Sequence, residues 1–333
     1  MILETLRKAQ SGGHLTADEA YGTFREIMGG EVENPVLIAA LLTAMQMNEP
    51  SIDEVTGAAR AMRGAGVKVA APADAVDIVG TGGDGFGTFN CSTTAALVAA
   101  GAGVTIAKHG NRASTSKSGS ADCLAALGYD LNTTLDEVSA SIRSNGIGFC
   151  FANMCHPAMR FAAPVRRALP FRTIFNLLGP LTNPAGVTRH ALGVYAPDVV
   201  PLYVGALKAL GARKALVFCG PDGLDELGLA GPSRVSELDE SGEVRDYTVD
   251  PAEIFGGYAP ISAIAGGTPE ENAAVTRRVL GGEKGAYRNA AVLNAAAAIV
   301  AAGKAATIAE GVKLAEASID SGAARAKLEA LVK

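Results

Sequence analysis

Val76-Asp77-Ile78-Val79 runs straight into Gly80-Thr81-Gly82-Gly83-Asp84-Gly85-Phe86-Gly87-Thr88-Phe89-Asn90-Cys91-Ser92-Thr93-Thr94, and Ala95 to Ala100 then opens a helix. Strand, glycine loop, hydroxyl-rich turn and helix in that order constrain the fold more than any other stretch. Glycines permit positive φ and close backbone approach, so several amides can face one anion, and a helix N-terminus adds its positive end. Asn90, Ser92 and Thr93 add side-chain groups for a phosphate or a metal. Gly80 to Gly85 also fits the dinucleotide spacing G-x-G-x-x-G, which requires an acidic residue at the end of the next strand. The next strand ends instead in Lys108-His109-Gly110, and a cation there suits a second phosphate rather than a ribose diol.

The alternation continues past the loop. Val104 to Ala107, Ile147 to Phe151, Leu192 to Tyr195, Ala215 to Phe218 and Ile261 to Ile264 are further strand candidates, most followed by a turn and a helical stretch. This predicts an α/β fold with a mostly parallel central sheet flanked by helices, and ligands at the carboxyl ends of the strands. Residues 1 to 68 read differently, as helices only. Thr16-Ala17-Asp18-Glu19 and Ser51-Ile52-Asp53-Glu54 fit the capping box, and Pro35 to Leu42 is apolar on nearly every side. Such a helix lies either deep in a core or at a subunit interface. Thr268-Pro269-Glu270-Glu271 opens a further helix, and the Ala-rich stretch to Lys333 follows.

The loop after the second strand is basic. Lys108-His109-Gly110-Asn111-Arg112-Ala113-Ser114-Thr115-Ser116-Lys117-Ser118-Gly119-Ser120-Ala121-Asp122 holds cations interleaved with hydroxyls, which suits a polyanion such as pyrophosphate. Net charge over the 333 residues is −5, against the basic excess of a nucleic-acid surface. The five cysteines are scattered without a Cys-x-x-Cys pair, which fits reduced, buried thiols in the cytoplasm rather than zinc or a disulfide frame. The N-terminus shows no signal-peptide pattern, and no apolar run is long enough for a bilayer.

Gly80 to Asp84, Lys108 to Asp122 and Arg172-Thr173-Ile174-Phe175-Asn176-Leu177-Leu178-Gly179-Pro180-Leu181-Thr182-Asn183-Pro184 together resemble the anthranilate phosphoribosyltransferase family, over nearly the whole chain. The resemblance implies a smaller all-α domain of residues 1–68, joined by a helical segment near 165–185, and an α/β domain of residues 69–333 that binds phosphoribosyl pyrophosphate. It implies transfer of the phosphoribosyl group to the amine of anthranilate, in tryptophan biosynthesis, with Mg2+. By the same resemblance Gly80, Gly83, Asp84, Thr88, Asn90, Cys91, Ser92 and Thr93 contact phosphoribosyl pyrophosphate. Lys108, His109, Gly110, Asn111, Arg112, Ala113, Ser114, Thr115, Ser116 and Ser120 continue that site. Gly80, Asn111 and Arg166 meet anthranilate, and Ser92, Asp225 and Glu226 hold the metal. A homodimer through the helical lobe is implied as well.

The residues carry these roles on their own chemistry. Asp225-Glu226 after the strand Ala215 to Phe218 can hold a hard divalent cation, or simply favour a helix N-terminus. Arg166 can clamp a carboxylate bidentately, or lie on a basic surface. No residue is assigned as a catalytic acid or base; Lys108 and His109 are the candidates, and His109 and His156 read rather as positioning or packing residues. Two rivals stand: a nucleic-acid-binding relative of the same superfamily, which would be basic and lack Arg166 or the acidic pair, and a pyrimidine nucleoside phosphorylase, which would lack the Arg172 to Pro184 run. The chain departs from the family pattern at Asn153 and Cys155, and at Pro170-Phe171, where a glycine-containing turn is usual.

Overall fold

The computed structural model describes residues 1–113 and 116–333. Four helices come first: α1 (Ile2–Gln10), α2 (Ala17–Gly29), α3 (Pro35–Met47) and α4 (Ile52–Ala65). The expected capping boxes form. Thr16 Oγ1 accepts from Glu19 N at 3.2 Å while Glu19 Oε2 accepts from Thr16 N at 2.8 Å, and Ser51 with Glu54 does the same at the start of α4. Thr268 and Glu271 cap a third helix in this way, Pro269–Leu280. Each box satisfies amides that the first helical turn leaves without partners. The helix α3 buries one stripe, Ile38, Leu41, Leu42 and Met45, and leaves Val36 66 % and Met47 81 % exposed.

The sheet has seven strands: β1 (Val76–Gly80), β2 (Ile106–Gly110), β3 (Ile147–Phe151), β4 (Arg189–Gly193), β5 (Lys214–Cys219), β6 (Ser233–Leu238) and β7 (Val244–Val249). Their order is β3-β2-β1-β4-β5-β6-β7; the first five run parallel, and β6 and β7 antiparallel. Five of the six expected strands form, with β2 shifted to the C-terminal side of its expected run and β4 to the N-terminal side, each ending on a glycine. The sixth does not: Ile261–Ile264 is a turn of 3-10 helix entered from Pro260, because a four-residue apolar run does not by itself distinguish strand from helix. β6 and β7 go beyond the expected set. They carry Arg234, Glu237, Arg245 and Asp246 and so lack an apolar run, as suits a hairpin that blunts a sheet edge with charge.

Alternate residues of the strands face two cores. Ala191, Leu216 and Phe218 pack on the Ala-rich helices α5 (Cys91–Gly101) and Ala286–Ala301, both almost wholly buried. Leu192, Val217 and Cys219 face the other way, onto a cluster shared by α1 to α4, residues 162–181 and the helix Val199–Ala209. The small Ala side chains let the first pair of helices lie close to the sheet, which fixes the strand ends above them. Among the described residues no helix is long and apolar enough to cross a membrane.

His190, in β4, is buried, and burial followed by the charge of Arg63 pushes its pKa down to about 3. A depressed histidine pKa contributes stability that is complete above pH 6.5 and drains as pH falls toward the folded value, by up to roughly 1.4 kcal/mol per pH unit. Thermal melts of His190→Gln are therefore expected to fall less steeply between pH 6.5 and pH 4 than those of the unmodified chain. Parallel curves would show that the ring does not titrate in this window.

Candidate active site

In the order β2-β1-β4 the chain leaves β1 to one side and later returns on the other, so the crevice of the sheet opens between the carboxyl ends of β1 and β4. The last residues of these strands, Gly80 and Gly193, are register partners. Neither has a Cβ, and Asp225 fills the space. A Cβ on Gly193 would overlap the Asp225 carbonyl, and one on Gly80 would stand 2.7 Å from Asp225 Cγ. The acidic pair is thus seated on two glycine hydrogens at the switch point of the sheet.

The glycine loop closes over this seat. Gly82 and Gly83 have φ of +72° and +73°, and Gly82 N donates to Asp225 Oδ2 at 2.5 Å. At the start of α5, Ser92 N donates to Glu226 Oε1 at 3.0 Å. Asp84 Oδ1 accepts from Phe86 N at 3.2 Å, while its Oδ2 is buried with no partner among the described residues. Burial, then the charge of Asp84, raises the pKa of Asp225. Glu226 is raised by burial and then by Asp225. Three carboxylates therefore crowd one corner, and a bound cation would relieve their repulsion.

The donor set fits Mg2+. Asp225, Glu226 and the Ser92 hydroxyl are hard oxygen ligands, and the orphaned Asp84 oxygen is a fourth in the same corner. Magnesium commonly takes only one or two protein carboxylates and completes its shell with substrate oxygens and water. Behind the corner, Lys108 is buried. Its Nζ donates to Ile78 O at 2.7 Å and to Ser92 Oγ at 3.2 Å. Burial lowers its pKa, opposed by Asp77 and Glu226. Its amine is held in place beneath the loop.

The loop residues divide by what their side chains do. Cys91 and Thr93 are buried in the core, each 1 % exposed. The Asn90 side chain is a staple: Nδ2 donates to Ser118 O at 3.2 Å, and Oδ1 accepts from Ser118 Oγ and Asn272 Nδ2, both at 2.9 Å. Thr88 is bridged to Ala265.

The basic loop is shaped by Asp122, whose role the sequence does not announce. It accepts from Arg112 Nη1 at 2.8 Å, Ala113 N at 2.8 Å and Gly119 N at 3.0 Å. Burial pushes this carboxyl up, but those three donors hold it below its usual range. Ser120 Oγ donates to Asn111 O at 3.2 Å over Gly110, where a side chain would not fit. Ser116 Oγ reaches Ser118 O. Ser114 and Thr115 lie outside the described residues.

On the acceptor side, Arg166 sits on the helix Ala163–Ala168 with its guanidinium 5.3 Å from the centroid of the Phe175 ring. Burial lowers its pKa; it is a cation taken from water and rested on an aromatic face. His109 Nδ1 donates to Gly179 O at 3.1 Å, and its ring stands edge-on to His156, centroids 5.1 Å apart. Burial first, then His156, lowers His109 to about 3, and burial lowers His156 to about 4. Both rings are neutral at pH 7 and weak as bases, in keeping with positioning. Asp77 Oδ1 accepts His109 N at 3.0 Å, tying β1 to the same network. The structure brings Gly80, Asp84, Ser92, Lys108, Asp225 and Glu226 into one cluster. Arg166 connects to that cluster through the Thr173–Asn183 segment.

A mostly parallel sheet with a glycine loop, a basic loop and an acidic pair at its switch point, beside a bundle of helices, suits a transferase acting on a phosphorylated ligand. The family model "Glycosyl transferase family, a/b domain" matches residues 72–325, and "Glycosyl transferase family, helical bundle domain" matches residues 3–66. The anthranilate phosphoribosyltransferase of Rubrobacter xylanophilus is 52% identical over 336 residues, covering 100% of this chain and 97% of the relative. The crystal structure of anthranilate phosphoribosyltransferase from Thermus thermophilus superposes with a TM-score of 0.93 at 47% identity, covering 98% of each chain. That of Saccharomyces cerevisiae in complex with PRPP and Mg gives 0.91 at 29% identity, covering 99% of this chain and 96% of the other. The chain belongs to the anthranilate phosphoribosyltransferase family.

Proposed function

We propose that this chain transfers the phosphoribosyl group of phosphoribosyl pyrophosphate to the amine of anthranilate, releasing pyrophosphate, as a step of tryptophan biosynthesis. The observation that carries the reading is the Asp225-Glu226 pair seated on Gly80 and Gly193 under the glycine loop. It is supported by the yeast relative solved with PRPP and Mg.

In the reaction the bond from the anomeric carbon to the pyrophosphate oxygen breaks and a carbon–nitrogen bond forms, after which the nitrogen gives up a proton. Asp225, Glu226 and the Ser92 hydroxyl would hold Mg2+, which when bound neutralises charge on the leaving pyrophosphate. Gly82 N and Ser92 N hold the two carboxylates in place for that role, and Lys108 would add positive charge from behind through Ser92 Oγ. The amine of anthranilate is neutral at pH 7, so attack needs no base. The neutral rings of His109 and His156 shape the wall instead. Catalysis rests on positioning and charge stabilisation. Thr88, Asn90 and the Asn111 to Ser120 stretch complete the phosphoribosyl pyrophosphate site, and Gly80, Asn111 and Arg166 the anthranilate site.

The reading includes a homodimer through the helical lobe, supported by the apolar Leu3, Val36 and Met47 left exposed on α1 and α3, and a cytoplasmic location, supported by five free, buried cysteines. The direct test mixes the protein with phosphoribosyl pyrophosphate, Mg2+ and anthranilate and follows the loss of anthranilate fluorescence; no loss would refute the activity. Arg166→Ala is expected to raise KM for anthranilate about ten- to a hundredfold, the worth of a charged hydrogen bond, while KM for phosphoribosyl pyrophosphate stays put. An unchanged anthranilate KM would remove Arg166 from the carboxylate clamp.

A further inference from the structure

One cation touches the glycine loop from outside the phosphate machinery described above. Arg172 Nη2 donates to Gly83 O, across 89 positions of sequence. Its guanidinium lies over the Tyr195 ring, 3.7 Å from the centroid. Tyr195 is itself held in place. It follows β4, and its carbonyl stands 2.6 Å from where a Cβ of Gly223 would be, two residues before the acidic pair. Arg172 also opens the segment that carries the acceptor side. Thr173 N donates to Asn176 Oδ1 at 2.9 Å, Arg166 rests on Phe175, and Tyr203 OH donates to Leu177 O. Two residues before Arg172 stands Pro170. It holds Leu169 extended, with φ −85° and ψ 122°, and so ends the helix Ala163–Ala168 there.

The contact has a direct consequence for the loop. A trans peptide sets its N–H opposite its C=O. With the Gly83 carbonyl turned out to Arg172, the Asp84 N–H of the same peptide must point the other way. Gly83 can hold this orientation because its φ is +73°. Without a clasp, four glycines in the positive-φ region between positions 82 and 87 would let the peptide turn over at little cost.

We propose that Arg172, stacked on Tyr195, is a positioning residue that fixes the Gly83–Asp84 peptide with its amide toward the phosphates, and so sets the affinity for phosphoribosyl pyrophosphate. This inference rests on the function read above. The stack and the donated hydrogen bond are needed together. A guanidinium supplies both at once, and an ammonium cannot, since it is a point charge without a flat face.

The test compares Arg172→Ala, Arg172→Lys, Tyr195→Phe and Tyr195→Leu with the unmodified protein. Calorimetry measures phosphoribosyl pyrophosphate binding with Mg2+, and steady-state assays give KM for each substrate. Arg172→Ala is expected to weaken phosphoribosyl pyrophosphate binding and raise its KM by about tenfold or more, with anthranilate KM at saturating donor within about twofold. Tyr195→Leu loses part of the same affinity, Tyr195→Phe keeps it, and Arg172→Lys recovers little. Wild-type affinity in Arg172→Ala overturns the proposal, as does an equal weakening of both substrates. Full recovery in Arg172→Lys also overturns it, since a point charge on the phosphates would then suffice. Should Arg172→Ala fail to fold, Tyr195→Leu decides: weakened donor binding supports the clasp and unchanged binding refutes it. Failure of the unmodified protein to bind phosphoribosyl pyrophosphate would instead strike the function itself.

Discussion

Gly193→Ala is expected to lower magnesium-dependent turnover by roughly ten- to a hundredfold, the equivalent of the 1–3 kcal/mol that overpacking a tight site costs. The new methyl group would overlap the carbonyl of Asp225 and lie 3.1 Å from Glu226 N. Neither neighbour is a flexible side-chain end, so the strand or the acidic loop has to move. The loop is the weaker partner, because β4 is hydrogen-bonded on both sides, to β1 and β5. Displacing the loop takes both carboxylates away from Gly82 N and Ser92 N. A magnesium titration of turnover, with circular dichroism to confirm the fold, checks this. An unchanged magnesium requirement would show that the pair does not depend on its glycine seat.

Neutralising the pair should separate activity from stability. Asp225→Asn with Glu226→Gln is expected to reduce turnover by about a thousandfold, the upper end of what one well-placed electrostatic contribution supplies. The same double variant is expected to melt higher in the presence of a chelator. The sign follows from the pKa directions. Both folded-state values lie above the ordinary carboxylate range, burial being the main cause. The stability such groups contribute is present at low pH and drains as pH rises through the folded value. At pH 7 the metal-free pair is therefore a cost, and the amides avoid it while their carbonyls still accept from Gly82 N and Ser92 N. A lower melting temperature without metal would mean that the carboxylates stabilise the fold by a route their burial does not suggest.

What the sequence discloses and what it hides divide along chain separation. The glycine loop, the basic loop and the capping boxes are contiguous strings whose residue types announce their chemistry, although the glycine loop's partners Asp225, Glu226 and Arg172 lie far away in sequence. They are legible because local chemistry determines them. Gly193, Asp122 and Arg172 act through partners distant in sequence or on the far side of a loop. Gly193 did leave a trace, as a glycine inside the strand run Leu192-Gly193-Val194-Tyr195, which marks close backbone approach. Asp122 reads as the acidic end of a basic stretch, and only the folded loop shows three donors converging on it. The β6–β7 hairpin escapes for a different reason. Its buried Glu237 lies near Lys214 and Arg245, so ion pairs occupy places where an apolar pattern would have announced a strand. Asp84, a carboxylate in an anion loop, is likewise legible only in the fold, where it comes to act on Asp225 as a third negative group in the same corner.

The phosphate end and the acceptor end proposed for the site are carried by different stretches of chain. Glycines 80 and 193 leave the metal corner almost no room for inherited change, since any side chain there meets backbone or a ligand carboxylate. The stretch from Asn153 to Phe171, which bears Arg166, packs on the helical lobe instead. A lineage could therefore alter which aromatic amine it accepts while keeping the donor half intact, much as a tool keeps its handle and changes its bit.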